Sequence, residues 1–353
     1  MIIAALIIAV VLLAVLERYS ASEGLRQLEE DHELSSPTAE PDENTELILR
    51  LINHSRWFLP FVRFRERLPE GIVAAGSEET ELDYWEQTWL RGTTWLRPRQ
   101  ILEKKILIRG TRRGRFLFSS LQVSIGDFLG MEDETRSFDG IRELIVFPKE
   151  LPMEKLQPVL GGFLGDRSVR RFIFEDPVLT LGFREYTGRE PMKMISWKQS
   201  ARQGELMVKH YDYTMEPSVL VLLNTEYEAE DREAVLETCF MAARTVCQML
   251  EKQNIPYDFA MNAVMLGSLQ TYCYIPEGLG SGHLFGVLES LGRASYQTVC
   301  SCRRLLRQNL EGRSGKGVLF ITPERNEEYR HAEQLLQGEM GCLMTGIIAR
   351  ELM

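Results

Sequence analysis

The fold is decided by residues 219–261, which read VLVLLNTEYEAEDREAVLETCFMAARTVCQMLEKQNIPYDFAM. Val219–Leu223 is a continuous apolar run of the kind found in buried parallel strands. Residues 229–253 then place apolar side chains at helical spacing, with acids in the first turn and Lys252 near the end. Residues 255–261 return to a strand pattern. A strand, a helix and a strand in this order predict an open α/β sheet.

The same alternation continues towards the carboxyl end. A helix is predicted around residues 284–291 and a basic helix around 297–310. An apolar strand is predicted at 317–322, a helix at 325–337 and a last strand at 342–348. Residues 217–353 are therefore predicted to form one α/β domain.

Short strands dominate residues 45–150. Several runs alternate polar and apolar residues, as half-buried antiparallel strands do, and turn residues such as Pro69, Glu70 and Gly71 separate them. Because no helical period interrupts these runs, they predict a β-sandwich domain. The runs are 45–52, 58–64, 79–85, 94–97, 105–109 and 115–123.

Residues 2–16 form an unbroken apolar run, IIAALIIAVVLLAVL. The run is shorter than the roughly 20 residues that usually span a bilayer, but flanking residues can extend it. A secretory signal and a buried core helix are the alternatives; the first lacks a basic start and a clean cleavage site. We expect a transmembrane anchor at residues 1–18 and an acidic juxtamembrane tether at 19–44. Arg18 and Arg26 follow the run, which predicts a single-pass protein of the cell membrane with a cytoplasmic soluble part.

Composition narrows the classes of partner. The chain has 353 residues and a formal charge of −10, and this acidic total argues against a dedicated nucleic-acid binder. Six cysteines are too few for a disulfide scaffold. Residues 91–115 are an exception, with nine Lys or Arg and one acid. They predict a solvated strand face or a surface for an acidic partner or a membrane.

Three candidate sites, a phosphate loop, a cysteine pair and the histidines, do not match the sequence patterns that their chemistry requires. The segment GRSGKG at 312–317 resembles a phosphate loop, but Leu310 stands where the first glycine is needed and Gly317 where a hydroxyl is needed. Cys300 and Cys302 are two residues apart on a predicted helix, so their thiols point in different directions and cannot share one ion. The five histidines belong to no recognisable hydrolase signature. We therefore expect no catalytic residue, cofactor or metal.

Residues 184–202 read REYTGREPMKMISWKQSAR. This segment resembles the signature R-x-Y-x-x-G-D-x-x-R-x-I-x-W-x-x-S-A-R of the bacterial domain-of-unknown-function family fifty-eight. Residues 127–130 and 146–148 resemble two shorter motifs of the same family. The signature departs from the family at Arg189, Glu190 and Lys193. The matching positions are Arg184, Tyr186, Ile195, Trp197, Ser200, Ala201 and Arg202.

The resemblance implies a von Willebrand factor A-like domain at 217–353, joined to the sandwich by a connecting segment at 151–216. Domains of that kind often hold Mg²⁺ with D-x-S-x-S after the first strand. The corresponding positions here are Asn224, Glu226 and Glu228, so the metal site is degenerate. The expected fold class is α/β plus all-β: a membrane helix, a β-sandwich and a von Willebrand factor A-like sheet.

Two roles remain open for the signature. Its cations, Arg184, Lys193, Lys198 and Arg202, could dock an acidic partner, with Trp197 and Tyr186 as anchors. Alternatively, Trp197 and Tyr186 are core residues, and an arginine pairs with Glu190. The structural role is the favoured interpretation.

These observations predict a membrane-anchored, non-enzymatic adaptor. The resemblance implies that its protein partner is a MoxR-type AAA+ ATPase acting in the assembly or maturation of protein complexes. An envelope hydrolase or thiol enzyme with an unrecognised site is the alternative from another class, and a secreted binding module is a third. The expected partners are the membrane and a protein, and not nucleic acid.

Overall fold

The computed structural model describes residues 2–76, 79–83, 87–126, 133–164, 180–186, 195–211, 218–268, 272–310, 317–336 and 343–353. The chain divides into two compact units. The first unit is Met1–Lys149 with Leu291–Arg293, and the second is Glu150–Ser290 with Ala294–Met353.

The first unit contains one long helix and two sheets. The sheets have the strand orders β1-β3-β8-β5 and β2-β10-β9-β4-β7-β6, and every pairing is antiparallel except that of β2 with β10. The elements are α1 (Ile2–Arg26), β1 (Leu28–Leu34), β2 (Thr38–Ala39), β3 (Asn44–Asn53), β4 (Leu59–Arg67), β5 (Ile72–Ala74), β6 (Glu79–Leu82), β7 (Thr88–Leu96), β8 (Ile101–Gly110), β9 (Gly114–Gly126) and β10 (Asp133–Val146).

A single core joins the two sheets. Strand β3 buries Leu47, Leu49 and Leu51 on one face, and β4 buries Val62 and Phe64 on the face towards them. This period of two is what the sequence predicts for half-buried strands. The predicted strands 45–52 and 105–109 are confirmed by β3 and β8, and the two sheets form a sandwich.

Helix α1 overturns the predicted membrane anchor. It extends to Arg26, well past the apolar run, and its last turns bury Ala21 and Leu25 in the sandwich core. Gly24 allows this close approach, since an added Cβ would lie 2.3 Å from Cδ2 of Leu59. Across the described residues, no helix combines the length and the apolarity needed to cross a bilayer. The transmembrane anchor at 1–18 and the single-pass location at the cell membrane are therefore wrong.

The second unit is built on a five-stranded sheet of order β16-β14-β13-β18-β19. Strands β14, β13, β18 and β19 are parallel, and β16 is antiparallel to β14. The elements are α2 (Met153–Leu164), β11 (Thr180–Glu185), α3 (Trp197–Gln203), β12 (Met207–Tyr211), β13 (Val219–Leu223), α4 (Arg232–Lys252), β14 (Tyr257–Met261), β15 (Ala263–Met265), β16 (Cys273–Gly278), α5 (Ser281–Arg293), β17 (Ala294–Thr298), α6 (Cys302–Leu310), β18 (Gly317–Thr322), α7 (Glu327–Gln334), β19 (Leu343–Ile348) and the 3-10 turn Ala349–Glu351.

The predicted fold class is wrong as a whole, although several of its elements exist. Strands β13, β14 and β18 and helix α4 occupy the predicted positions. Strict alternation fails after β14, because β15 and β16 follow it directly and β15 forms a separate antiparallel pair with β17. The chain is a strand-rich sandwich followed by a mixed sheet. The described residues contain neither a von Willebrand factor A-like domain nor a membrane helix.

Candidate functional site

The signature segment forms a small substructure of its own. Strands β11 and β12 pair antiparallel, and α3 lies between them in sequence. The Tyr186 N–H donates to the Leu206 carbonyl at 2.7 Å, and the Ser196 N–H donates to the Met207 carbonyl at 2.8 Å. Ile195 forms an isolated bridge with Val208. Backbone pairing therefore joins both strand-like parts of the signature, around Tyr186 and around Ile195, to residues 206–208.

Ser200 fixes α3 against β12. Its hydroxyl donates to the Ser196 carbonyl and accepts from the Met207 N–H, both at 2.9 Å. The helix ends at Gln203, and the next residue, Gly204, adopts a left-handed φ of 79° and donates its N–H to the Ser200 carbonyl. A left-handed residue at this position favours glycine. The serine of the signature thus has a structural role.

Trp197 is exposed, which corrects the interpretation of this residue as core. Its exposed fraction is 63%, at the first position of α3. Lys198, Ala201 and Arg202 are exposed on the same short helix. Ile195 and Ser200 are buried and Tyr186 is half-buried. Arg184 lies in β11 opposite Val208, whereas Glu190 and Lys193 lie outside the described residues.

Two further apolar side chains are exposed in this substructure. Phe183 of β11 is 42% exposed, and Leu206, which precedes β12, is 45% exposed. We call the set Phe183, Trp197, Lys198, Arg202 and Leu206 the signature surface. It combines aromatic and aliphatic area with two cations, and helix α3 itself carries no acid.

Asn224, one of the degenerate metal positions, belongs to a buried hydrogen-bond network at the carboxyl end of the parallel strands. The Asn224 Nδ2 donates to the Thr322 Oγ1 at 3.2 Å, and the Asn262 Nδ2 donates to the Asn224 Oδ1 at 2.9 Å. The Asn262 Oδ1 accepts from the Thr225 N–H at 2.7 Å. All four side chains are buried. Amide groups therefore connect the three strand ends.

The two glutamates at this edge have different surroundings. Glu226 caps α6, since its Oε2 accepts from the Cys302 N–H at 2.7 Å. Glu228 is exposed and lines a pocket of about 360 Å³ together with Glu226 and Glu324. Across the described part of the chain, no three His, Cys, Asp or Glu side chains are grouped so that they could hold a metal ion.

The five described cysteines are poorly suited to thiol chemistry. Burial raises the pKa of Cys273 to about 11 and that of Cys302 to about 12. Burial also raises the pKa of Cys239, Cys247 and Cys300. The thiolate is the nucleophilic form, and a raised pKa depletes it at neutral pH.

Several cations of the basic stretch at 91–115 pair with acids from neighbouring segments of the sandwich. Arg91 contacts Glu81 at 3.1 Å, and Lys105 contacts Glu46 at 3.0 Å. Arg112 contacts Glu70 at 3.1 Å. This pattern favours a solvated strand face.

Sequence reasoning missed a polar cluster inside the sandwich. His32 of β1 and Glu66 of β4 are each 1% exposed, and Glu30 of β1 hydrogen-bonds the Nδ1 of His32. We call Glu30, His32 and Glu66 the interior cluster. A signal was present in the sequence, because Glu30 and His32 alternate with Leu28 and Leu34 at strand spacing, and Glu66 follows Val62 and Phe64.

Comparisons with known proteins assign no family. Neither family models nor curated protein sequences match the chain. A cohesin module from a family 33 glycoside hydrolase of Clostridium perfringens ATCC13124 is 7% identical, with a TM-score of 0.25 over 34% of this chain and 96% of that chain. AvmM, which catalyses macrocyclization in alchivemycin A biosynthesis, is 9% identical, with a TM-score of 0.26 over 36% and 93%.

A third solved structure gives a similar result. A non-cellulosomal cohesin from the hyperthermophilic archaeon Archaeoglobus fulgidus is 11% identical, with a TM-score of 0.22 over 37% of this chain and 96% of that chain. At these scores, the three likenesses assign no fold family and no function.

Proposed function

We propose that this chain is a non-enzymatic interaction protein that binds a protein partner through the signature surface. The observation that carries the proposal is the exposure of Trp197 at the start of α3, the short helix on which Lys198 and Arg202 are also exposed. Tryptophan and arginine are enriched among the residues that dominate binding energy at protein interfaces. An exposed tryptophan has apolar area that a partner can bury.

The chemistry of the surface defines the partner. Lys198 and Arg202 are four residues apart and lie on one face of α3. They favour a partner with acidic side chains around an apolar pocket that accepts the indole ring. The resemblance of the signature to family fifty-eight makes a MoxR-type AAA+ ATPase the first partner to test.

Affinity measurement with a purified MoxR-type ATPase from the same source tests this proposal. We expect Trp197→Ala to weaken binding by about 30-fold or more, as removal of a central aromatic anchor does. We expect the double variant Lys198→Glu, Arg202→Glu to slow association and to reduce its dependence on salt. Trp95→Ala is the matched control, because Trp95 is also exposed but belongs to the sandwich.

A partner of another identity is detected by a photo-crosslinking amino acid placed at position 197 of the full chain in cells. Defined crosslinked proteins at position 197, absent when the group is at position 95, support the proposal. Equal crosslinking at both positions, or unchanged affinity of Trp197→Ala for every captured protein, contradicts it.

A further inference from the structure

We propose that the interior cluster makes the sandwich responsive to pH, so that strand β1 is held at acidic pH and released as the pH rises above neutrality. The released segment would be Leu28–Leu34, and its release would break the contacts that its inner face makes. This role is independent of the signature surface, which belongs to the second unit.

The position of β1 makes release possible. In the described sheet, β1 is an edge strand that pairs only with β3. Its inner face carries two polar side chains, Glu30 at 6% exposure and His32 at 1% exposure. An edge strand is held in its sheet partly by the packing of its inner face. In β1, two of the four side chains on that face, Glu30 and His32, are ionisable.

The opposite sheet completes the cluster. Glu66 projects from β4 into the interior at 1% exposure. Within the described residues, its Oε1 and the Nε2 of His32 have no hydrogen-bond partner. A buried carboxylate without partners is costly when ionised. Glu66 is therefore stable there chiefly in its neutral form or beside a cationic imidazole.

Strand β10 shapes the site around His32. Its pairing with β9 shifts register between Asp139 and Arg142, which is a bulge. Gly140 lies in this bulge, and an added Cβ would be 2.9 Å from the Cε1 of His32. The Arg142 Nε donates to the His32 carbonyl at 2.5 Å. The bulge thus leaves room for the ring and holds its backbone.

The charges facing the ring come from three strands. Burial lowers the pKa of His32, but the hydrogen bond and charge of Glu30 and the charge of Glu66 outweigh burial and the opposing charge of Arg142. The result is a His32 pKa above its ordinary value. Burial raises the pKa of Glu66 to about 7, against the charge of His32 and with that of Glu30.

The raised pKa values of His32 and Glu66 determine whether β1 is held at acidic or at alkaline pH. At acidic pH, His32 carries its proton and Glu66 is neutral, so the buried imidazolium lies beside an uncharged carboxyl. Loss of the Glu66 proton near pH 7 creates a charged carboxylate inside the sandwich, and loss of the His32 proton removes the cation beside it. Because the pKa values of both groups are raised in the folded chain, loss of either proton lowers the stability of the folded state in which β1 is held.

Protons can reach the cluster from solvent through Glu30. Glu30 lines a pocket of about 350 Å³ that is also bordered by His54, Arg136 and Phe138. The Arg136 Nη1 donates to the Leu28 carbonyl at 3.3 Å, at the start of β1. The pocket therefore lies where the helix ends and the edge strand begins.

Hydrogen exchange of the full chain tests the proposal. We expect protection of residues 28–34, corrected for the intrinsic rate, to fall about 10-fold to 100-fold between about pH 5.5 and about pH 8.5. Strand β14 in the second unit should show no such loss. Glu66→Gln should remove most of the pH dependence, whereas Glu46→Gln, which alters a carboxyl of β3 that pairs with Lys105, should retain it.

Two outcomes would overturn the proposal. One is protection of residues 28–34 that stays constant across this pH range in the unmodified chain. The other is a folded Glu66→Gln chain with the full pH dependence of the unmodified one. Where Glu66→Gln does not fold, Glu66→Met serves as the second variant, since its side chain has similar size and no titratable group.

Discussion

The hydroxyl of Ser200 accepts a hydrogen bond from the backbone N–H of Met207 at 2.9 Å, and this contact holds the only helix of the signature segment in the described residues against strand β12. Trp197 begins that helix, so the direction of its side chain depends on a buried hydroxyl three positions later. The packing of Ser200 and the exposure of Trp197 are thus coupled within one helix of seven residues.

We expect Ser200→Ala to leave the buried Met207 N–H without its acceptor and to cost about 1–3 kcal/mol locally. Hydrogen exchange at Met207 and urea unfolding measure the loss. Affinity for the partner should fall with it, although Trp197 is unchanged. Ser124→Ala is the control, because the hydroxyl of Ser124 hydrogen-bonds to the exposed hydroxyl of Thr135. A Met207 amide as protected in Ser200→Ala as before would contradict this role.

The carboxyl of Glu66 should make the sandwich less stable as the pH rises. Its folded pKa, about 7, is above its ordinary value of 4.5, so its favourable contribution is complete below pH 4.5 and is lost as the pH rises to about 7. We expect Glu66→Gln to raise the free energy of unfolding by up to about 3 kcal/mol above pH 8 relative to its effect near pH 4. Chemical denaturation at several pH values measures the difference, and a constant effect of the substitution would contradict it.

Glu150 should show the opposite dependence in the second unit. Hydrogen bonds from Gln248 at 2.8 Å and Arg244 at 3.0 Å hold its pKa below the ordinary value, with the Gln248 bond as the larger favourable cause. Its contribution is present above pH 4.5 and lost as the pH falls through the folded pKa. We expect Glu150→Gln to destabilise the second unit at pH 7 and to have little effect near pH 3. A larger destabilisation by Glu150→Gln at acidic pH than at pH 7 would contradict a lowered pKa of Glu150.

We expect Asn224→Asp to destabilise the chain by about 2–4 kcal/mol, because it removes the donor to Thr322 and buries a carboxylate near Glu226. Excess Mg²⁺ should not restore the melting temperature. Asn326→Asp is the matched control, since Asn326 caps α7 through its Oδ1 and an aspartate keeps that acceptor. Recovery of Asn224→Asp by Mg²⁺ would indicate that this edge can assemble a metal site.

Much of the backbone could be predicted from local patterns. Strand β3 alternates leucines with other residues, which predicts a half-buried strand. Strand β13 is continuously apolar, which predicts a buried strand. Helix α4 was recognisable because its buried face repeats over 21 residues. Strands β15 and β16 escaped prediction, since three and six residues with Gly and Pro nearby carry little periodicity.

The sites were harder to predict because they depend on which residues are brought together from distant segments. His32 and Glu66 are polar residues whose strand spacing indicates an inward direction, but the pairing of β1 with β3 and the position of β4 are needed to bring the two side chains together. Trp197 looks like a core residue because tryptophans are usually buried on average. In the structure, α3 buries Ser200 and leaves Trp197 exposed.

The contact between α1 and β10 has a consequence during synthesis. Arg136 donates to the carbonyl of Leu25 at 3.2 Å, and 111 positions separate the two residues. A ribosome therefore makes the helix first and its partner strand last among the elements of the sandwich. Until β10 leaves the exit tunnel, the Leu25 carbonyl lacks the guanidinium of Arg136, and a pause in translation before residue 136 would prolong that interval.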